Sequence, residues 1–168
     1  MAKIPELQEM LENAEQMCNA VDDAAGRRHT TFGLLRVELC LFLAHLCKAD
    51  FHLADEEDAF IAENLDIPFT TDEMNHYIRS HRTERHDFAK TIPTSFVRLV
   101  AYDRAQAAEP SHLSRRSLGE GGAAAYYIAL FQHFGYALIS ADGTRALSEI
   151  AAYYDYINAL SNYQKVHG

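Results

Sequence analysis

The stretch LCKADFHLADEE, residues 46–57, returns 92 residues later as LISADGTRALSE, residues 138–149. Each copy closes an apolar helical run, turns at Ala-Asp, and places a glutamate seven residues after the aspartate: Glu57 after Asp50, Glu149 after Asp142. Over the wider windows 42–59 and 134–151, seven of eighteen positions are identical: Phe42, Leu46, Ala49, Asp50, Ala54, Glu57 and Ala59. A second correspondence does not depend on the letters. The two most apolar stretches, 34–47 and 126–139, stand at the same offset and lead into the same motif, as a duplicated unit would. The pattern predicts a helical protein made of two related halves.

Working outward, helical signals fill the chain. Pro5 and Gly26 bracket a first helix whose residues Leu7, Met10, Leu11, Ala14, Met17, Cys18 and Val21 fall on one stripe, leaving an acidic outer face. Residues 31–48 are apolar nearly all round and predict a central helix, followed by a helix from about Ala54. Thr70 with Glu73, and Ser117 with Glu120, have capping-box spacing; the second opens a long helix ending near Ser140. Further helices are expected from Pro93 to before Pro110 and from about Ala146 to Tyr163. No alternating β-branched run is long enough for a sheet. The expectation is an all-α compact bundle of about seven to nine helices with two pseudo-symmetric halves. It forms a single domain over 1–168: an N-terminal helix and turn at 1–30, a first half at 31–110 and a second at 117–168.

Composition narrows the function classes. A formal net charge of −9 argues against a nucleic-acid groove, which needs clustered Lys and Arg to release counterions. The only basic strips are short: Arg27 to His29, and His76, His81 and His86 with Arg79, Arg82 and Arg85. Five-residue spacing rotates each imidazole about 140° from the last, so that strip reads as a solvated surface. The longest apolar run, 39–46, is far short of a membrane span, and the opening MAKIPELQEM has neither the basic nor the apolar region of a secretory signal. Cys18, Cys40 and Cys47 lack metal or redox spacing and read as small buried hydrophobes. Gly119, Gly121 and Gly122 before a run of alanines follow no strand and lack the Lys-Ser/Thr pair of a phosphate loop. They read as small residues for close helix approach.

Chemistry concentrates at the two acidic turns. Asp50, Asp55, Glu56, Glu57 and Asp58 gather five carboxylates in nine residues, the oxygen-rich kind of site that hard divalent cations such as Ca²⁺ or Mg²⁺ require. The EF-hand pattern is not met, because His52, Ala54, Asp55 and Ile61 stand where it demands other residues. The candidate ligands are Asp50, Asp55, Glu57, Asp142 and Glu149. A competing reading makes Glu57 and Glu149 helix caps, each at the third helical position after Ala54 and Ala146. The second copy carries Arg145 between its acids, so a cation would favour the first.

The doubled motif resembles the TerB-like family, named from bacterial tellurite-resistance proteins. An apolar helix, Ala-Asp-Gly and an acidic stretch opening the next helix correspond to Ala141-Asp142-Gly143 with Glu149, and to Ala49-Asp50-Phe51 with Asp55, Glu56 and Glu57. The stretch from Ile92-Pro93-Thr94-Ser95-Phe96 to Asp103 is similar to TerB-like domains found beside ATPases. The resemblance covers most of 34–157. It implies a cytoplasmic bacterial all-α domain with internal pseudo-symmetry and acidic residues that take a divalent cation. It also implies a non-enzymatic interaction or sensor role linked to stress response, with a protein partner. The alternatives are a dedicated divalent-cation-binding protein and a metal-assisted enzyme using the acidic turn. An exposed partner patch is expected at Tyr153, Tyr154 and Tyr156.

Overall fold

Pro5 and Gly26 mark the ends of the first helix in space as they do in sequence. In a computed structural model, α1 spans Pro5–Ala24 with the proline in its first turn. Gly26 takes φ 64°, its N–H donating to the Asp23 carbonyl and the Arg27 N–H to the Asp22 carbonyl. This 5→2 and 6→1 pairing is a Schellman stop, which needs the left-handed conformation that glycine adopts at no steric cost. The structure describes residues 3–48, 55–65, 76, 92–108, 122–141 and 147–168, without the side chains at 47, 48, 55, 56 and 58.

Five further helices follow: α2 at Thr31–Lys48, α3 at Asp55–Leu65, α4 at Thr94–Ala108, α5 at Gly122–Ala141 and α6 at Leu147–His167. The protein is an all-α bundle, with no strand among the described residues. Six helices are described where seven to nine were expected. The segment expected to hold a further helix, from the box at Thr70 to about Ser80, lies outside the described residues except for His76, which is helical; the box at Ser117, expected to open the helix found as α5, lies outside them too. No described helix is long and apolar enough to cross a membrane.

The two most apolar helices are central. α2 and α5 pack on each other, and each also packs on all four remaining helices. Along α5 only His133 and Tyr136 are exposed, so a helix apolar on every side is covered on nearly every side. Aromatic rings fill the space between. Tyr127 stacks on Phe131 with centroids 4.1 Å apart, Phe42 meets Phe131 at 5.3 Å and Tyr156 at 4.6 Å, and Phe96 meets Tyr127 at 5.0 Å. Such pairs add about 0.5–1.5 kcal/mol each beyond their burial. Gly135 permits a close approach, with the Phe42 and Tyr153 rings where a Cβ would lie.

Candidate functional site

At the acidic turns the described residues reveal two glutamates. Glu57 is the third residue of α3 and 3 % exposed; Glu149 is the third residue of α6 and 2 % exposed. The two helices start 92 residues apart, the offset of the sequence repeat. A carboxylate that deep is expensive to hold in charged form unless polar groups or a cation meet it, and a helix N-terminus offers unsatisfied N–H groups. Asp50 and Asp142 lie outside the described residues, and Asp55 opens α3 with its side chain likewise outside. Among the described residues no three His, Cys, Asp or Glu side chains converge as a metal site would require.

Three further carboxylates, none singled out from sequence, close helix N-termini from other helices. Asp22 on α1 is fully buried. One oxygen accepts the backbone N–H groups of Thr30 and Thr31 at 2.9 Å, and the other accepts the Thr31 hydroxyl at 2.5 Å and Arg27 Nη1 at 2.9 Å. Burial pushes its pKa up, but these four donors outweigh burial and hold it below the ordinary 3.8. The acids of α1 are expected on an outer face, and Asp22 departs from that. It stands four residues after Cys18, on the buried stripe, and that position is the signal that could have found it.

Glu38 on α2 reaches the start of α4. Its Oε1 accepts the Ser95 N–H at 2.9 Å and its Oε2 accepts the Ser95 hydroxyl. Arg98, one turn further along α4, donates to the hydroxyls of Thr30 and Thr31 at 3.1 Å, joining this cap to that of Asp22. Burial raises the Glu38 pKa above its ordinary value, outweighing the Ser95 bonds and the nearby Arg98 charge. The buried Tyr127 hydroxyl lies beside Ser95 and Tyr156, yet no described atom meets hydrogen-bond geometry with it; desolvation pushes its pKa far up. Burial also lifts the Cys18 thiol to about 12 and Cys40 to about 11, which makes both unreactive hydrophobes, as expected.

Asp103 on α4 caps α5, accepting Ala123 N–H at 2.8 Å and Ala124 N–H at 2.9 Å. The first turn of α5 is therefore met by the protein's own carboxylate, while Gly119 and Gly121 lie outside the described residues. Beside it an open groove of ≈ 330 Å³ is lined by Val100, Asp103, Arg104, Ala107, Gln164 and Gly168.

The surface expectations divide. Tyr156 does not join a partner patch: it is 2 % exposed and packs on Phe42 and Phe131, because three tyrosines within four helical residues cannot share one face. Tyr154 is 57 % exposed and meets the half-buried Tyr153 edge to face. Leu147, two turns before Tyr154, and Tyr136 on α5 are exposed as well. Of the basic strips, Arg27 pairs with Asp22 and His29 with Asp23 at 2.8 Å; His76 is exposed and residues 77–86 lie outside the described residues.

No family model, no curated protein and no solved structure matches this chain.

Proposed function

We propose that this protein is a non-enzymatic interaction or sensor domain of TerB-like type, with a divalent cation held at its acidic turns and a protein partner as the readout. The observation that carries the reading is the equivalent burial of Glu57 and Glu149. Two carboxylates, each at the third position of a helix, are almost wholly withdrawn from water at the spacing of the sequence repeat. Surface acids at a helix start need no burial to interact with the helix dipole. Withdrawing both suggests a built feature of two related halves. Asp50 and Asp142, seven residues before each glutamate, would complete each set, with Asp55 adding an oxygen ligand to the first. The all-α bundle, centred on α2 and α5 as the two corresponding helices, agrees with the pseudo-symmetric arrangement.

The partner surface in this reading is the face of α6 bearing the exposed Leu147 and Tyr154, in place of the three tyrosines taken from sequence. A negative net charge favours a basic protein partner over nucleic acid. Calorimetric titration of the intact chain with Ca²⁺, Mg²⁺, Mn²⁺ and Zn²⁺ tests the reading. It expects saturable binding of one divalent ion near one equivalent; no heat and no competition from any of the four would leave helix capping as the whole role of these acids.

A further inference from the structure

Ser95 has one hydroxyl proton and two neighbours able to receive it, the half-buried Glu38 and the fully buried Tyr127. With Glu38 ionised, both carboxylate oxygens only accept. Oε1 takes the Ser95 N–H, Oε2 takes the Ser95 hydroxyl proton, and the cap on α4 is complete. That leaves the Tyr127 hydroxyl, in a residue with no solvent exposure, close to Ser95 and Tyr156 but in full hydrogen-bond geometry with neither. Buried hydroxyls are seldom left so.

We propose that Glu38, Ser95 and Tyr127 form a proton-reversible hydrogen-bond relay that couples the seating of α4 on α2 and α5 to the protonation of one carboxyl group. When Glu38 takes up a proton from solvent on Oε2, that O–H donates to Ser95 Oγ. The Ser95 proton is released from Glu38 and turns to the Tyr127 oxygen. One proton is gained, no covalent bond in the chain breaks, and the rearrangement needs only hydroxyl rotation. The charged form holds the first turn of α4 to α2 through charge-assisted bonds; the neutral form weakens that hold and gives α4 a new bond to α5.

The surroundings of Glu38 favour this exchange. Cys18 faces it from α1, Arg98 from α4 and Tyr127 from α5, and Tyr156 on α6 adjoins Tyr127. α3 is reached from α2 by Arg36, which donates to the Leu65 carbonyl, and residue 36 points about 200° away from residue 38 around the helix. Arg98 is the only cation in this set, and it is already shared with Thr30 and Thr31. Burial then prevails and places the switch above the ordinary glutamate value of 4.5. None of these residues belongs to the acidic turns, so the relay stands or falls apart from the proposed function.

Carbon-13 labelling of glutamate and tyrosine tests it, with NMR titration across the pH range in which the circular dichroism of the chain is unchanged. Glu38 Cδ, the Ser95 N–H and Tyr127 Cζ are expected to move with one shared midpoint above 4.5. Glu38→Gln supplies a control, because its amide oxygen accepts from the Ser95 N–H while its NH₂ donates to Ser95 Oγ, fixing the neutral arrangement. In that variant Tyr127 Cζ should sit at its low-pH wild-type position and no longer titrate. A Tyr127 signal that ignores the Glu38 midpoint, one that still titrates in Glu38→Gln, or a Glu38 midpoint at or below 4.5 would each overturn the relay.

Discussion

Gly122 and Asp103 lie so close that a Cβ on the glycine would fall 2.5 Å from Asp103 Oδ1. The glycine also holds φ 77°, and the same carboxylate caps the two residues that follow it. Gly122→Ala therefore strains the backbone and evicts the cap together. Left-handed backbone at a non-glycine residue costs roughly 1–3 kcal/mol, and a lost cap about 0.5–2 kcal/mol. We expect a loss of about 1.5–5 kcal/mol on urea unfolding, summing these two contributions. Part of it should vanish when Asp103→Ala is already present, since the contact is then gone. An unchanged urea midpoint would contradict this geometry.

Asp22 should give stability a distinct dependence on acid. Its folded-state pKa is depressed below 3.8, so its contribution is full above the unfolded value and is lost as pH falls through the folded one. The difference in unfolding free energy between wild type and Asp22→Asn should be flat from neutral pH to about 4, then shrink at lower pH. At neutral pH Asp22→Ala strands the two amides, the Thr31 hydroxyl and Arg27, at a cost of about 2–4 kcal/mol. A difference that grows on acidification would show that Asp22 is not held as a buried anion.

Two helical glycines should respond in opposite directions. At Gly33 in α2 an added Cβ meets nothing within 4 Å, so Gly33→Ala gains helix propensity and should stabilise by about 0.5–1 kcal/mol. At Gly135 in α5 it would lie 2.9 Å from Tyr153 Cδ2 and 3.0 Å from Phe42 Cε1. The same propensity gain is present there, but overpacking costs about 1–3 kcal/mol, and Phe42 is wedged against Phe131 and Tyr156. Gly135→Ala should be destabilising by about 1 kcal/mol net. Thermal unfolding of the pair checks the sign, and equal shifts for both would refute the packing described around Phe42.

Helix positions were legible in the chain because their signals are local. Pro5, Gly26 and the apolar run of 31–48 placed α1 and α2 within a residue. Glu57 and Glu149 could be placed on the third helical position because the motif sits at the helix start. The cross-helix caps were not legible in the same way. Asp22 acts on Thr31, Glu38 on Ser95 and Asp103 on Ala123, pairs set by how helices pack, with no motif of short spacing to announce them. Tyr156 was misjudged for a simpler reason: clustered tyrosines were read as a patch, whereas helical rotation turns Tyr156 inward with Ile157 and Leu160. Of the candidate ligands, Asp50 and Asp142 lie outside the described residues.

Thermal unfolding of wild type, Glu57→Gln and Glu149→Gln, each with and without the divalent ions, tests the central claim most directly. A glutamine can still cap, so without ions both variants should melt close to wild type. With ions, wild type should be stabilised, by about 2.7 kcal/mol when the free ion is a hundredfold above its Kd. Glu57→Gln should lose that stabilisation. Glu149→Gln should keep most of it, because Asp55, Glu56 and Asp58 have no acidic counterparts in the second copy and Arg145 adds positive charge there. No ion-dependent shift in wild type, or a shift undiminished in Glu57→Gln, would contradict the account.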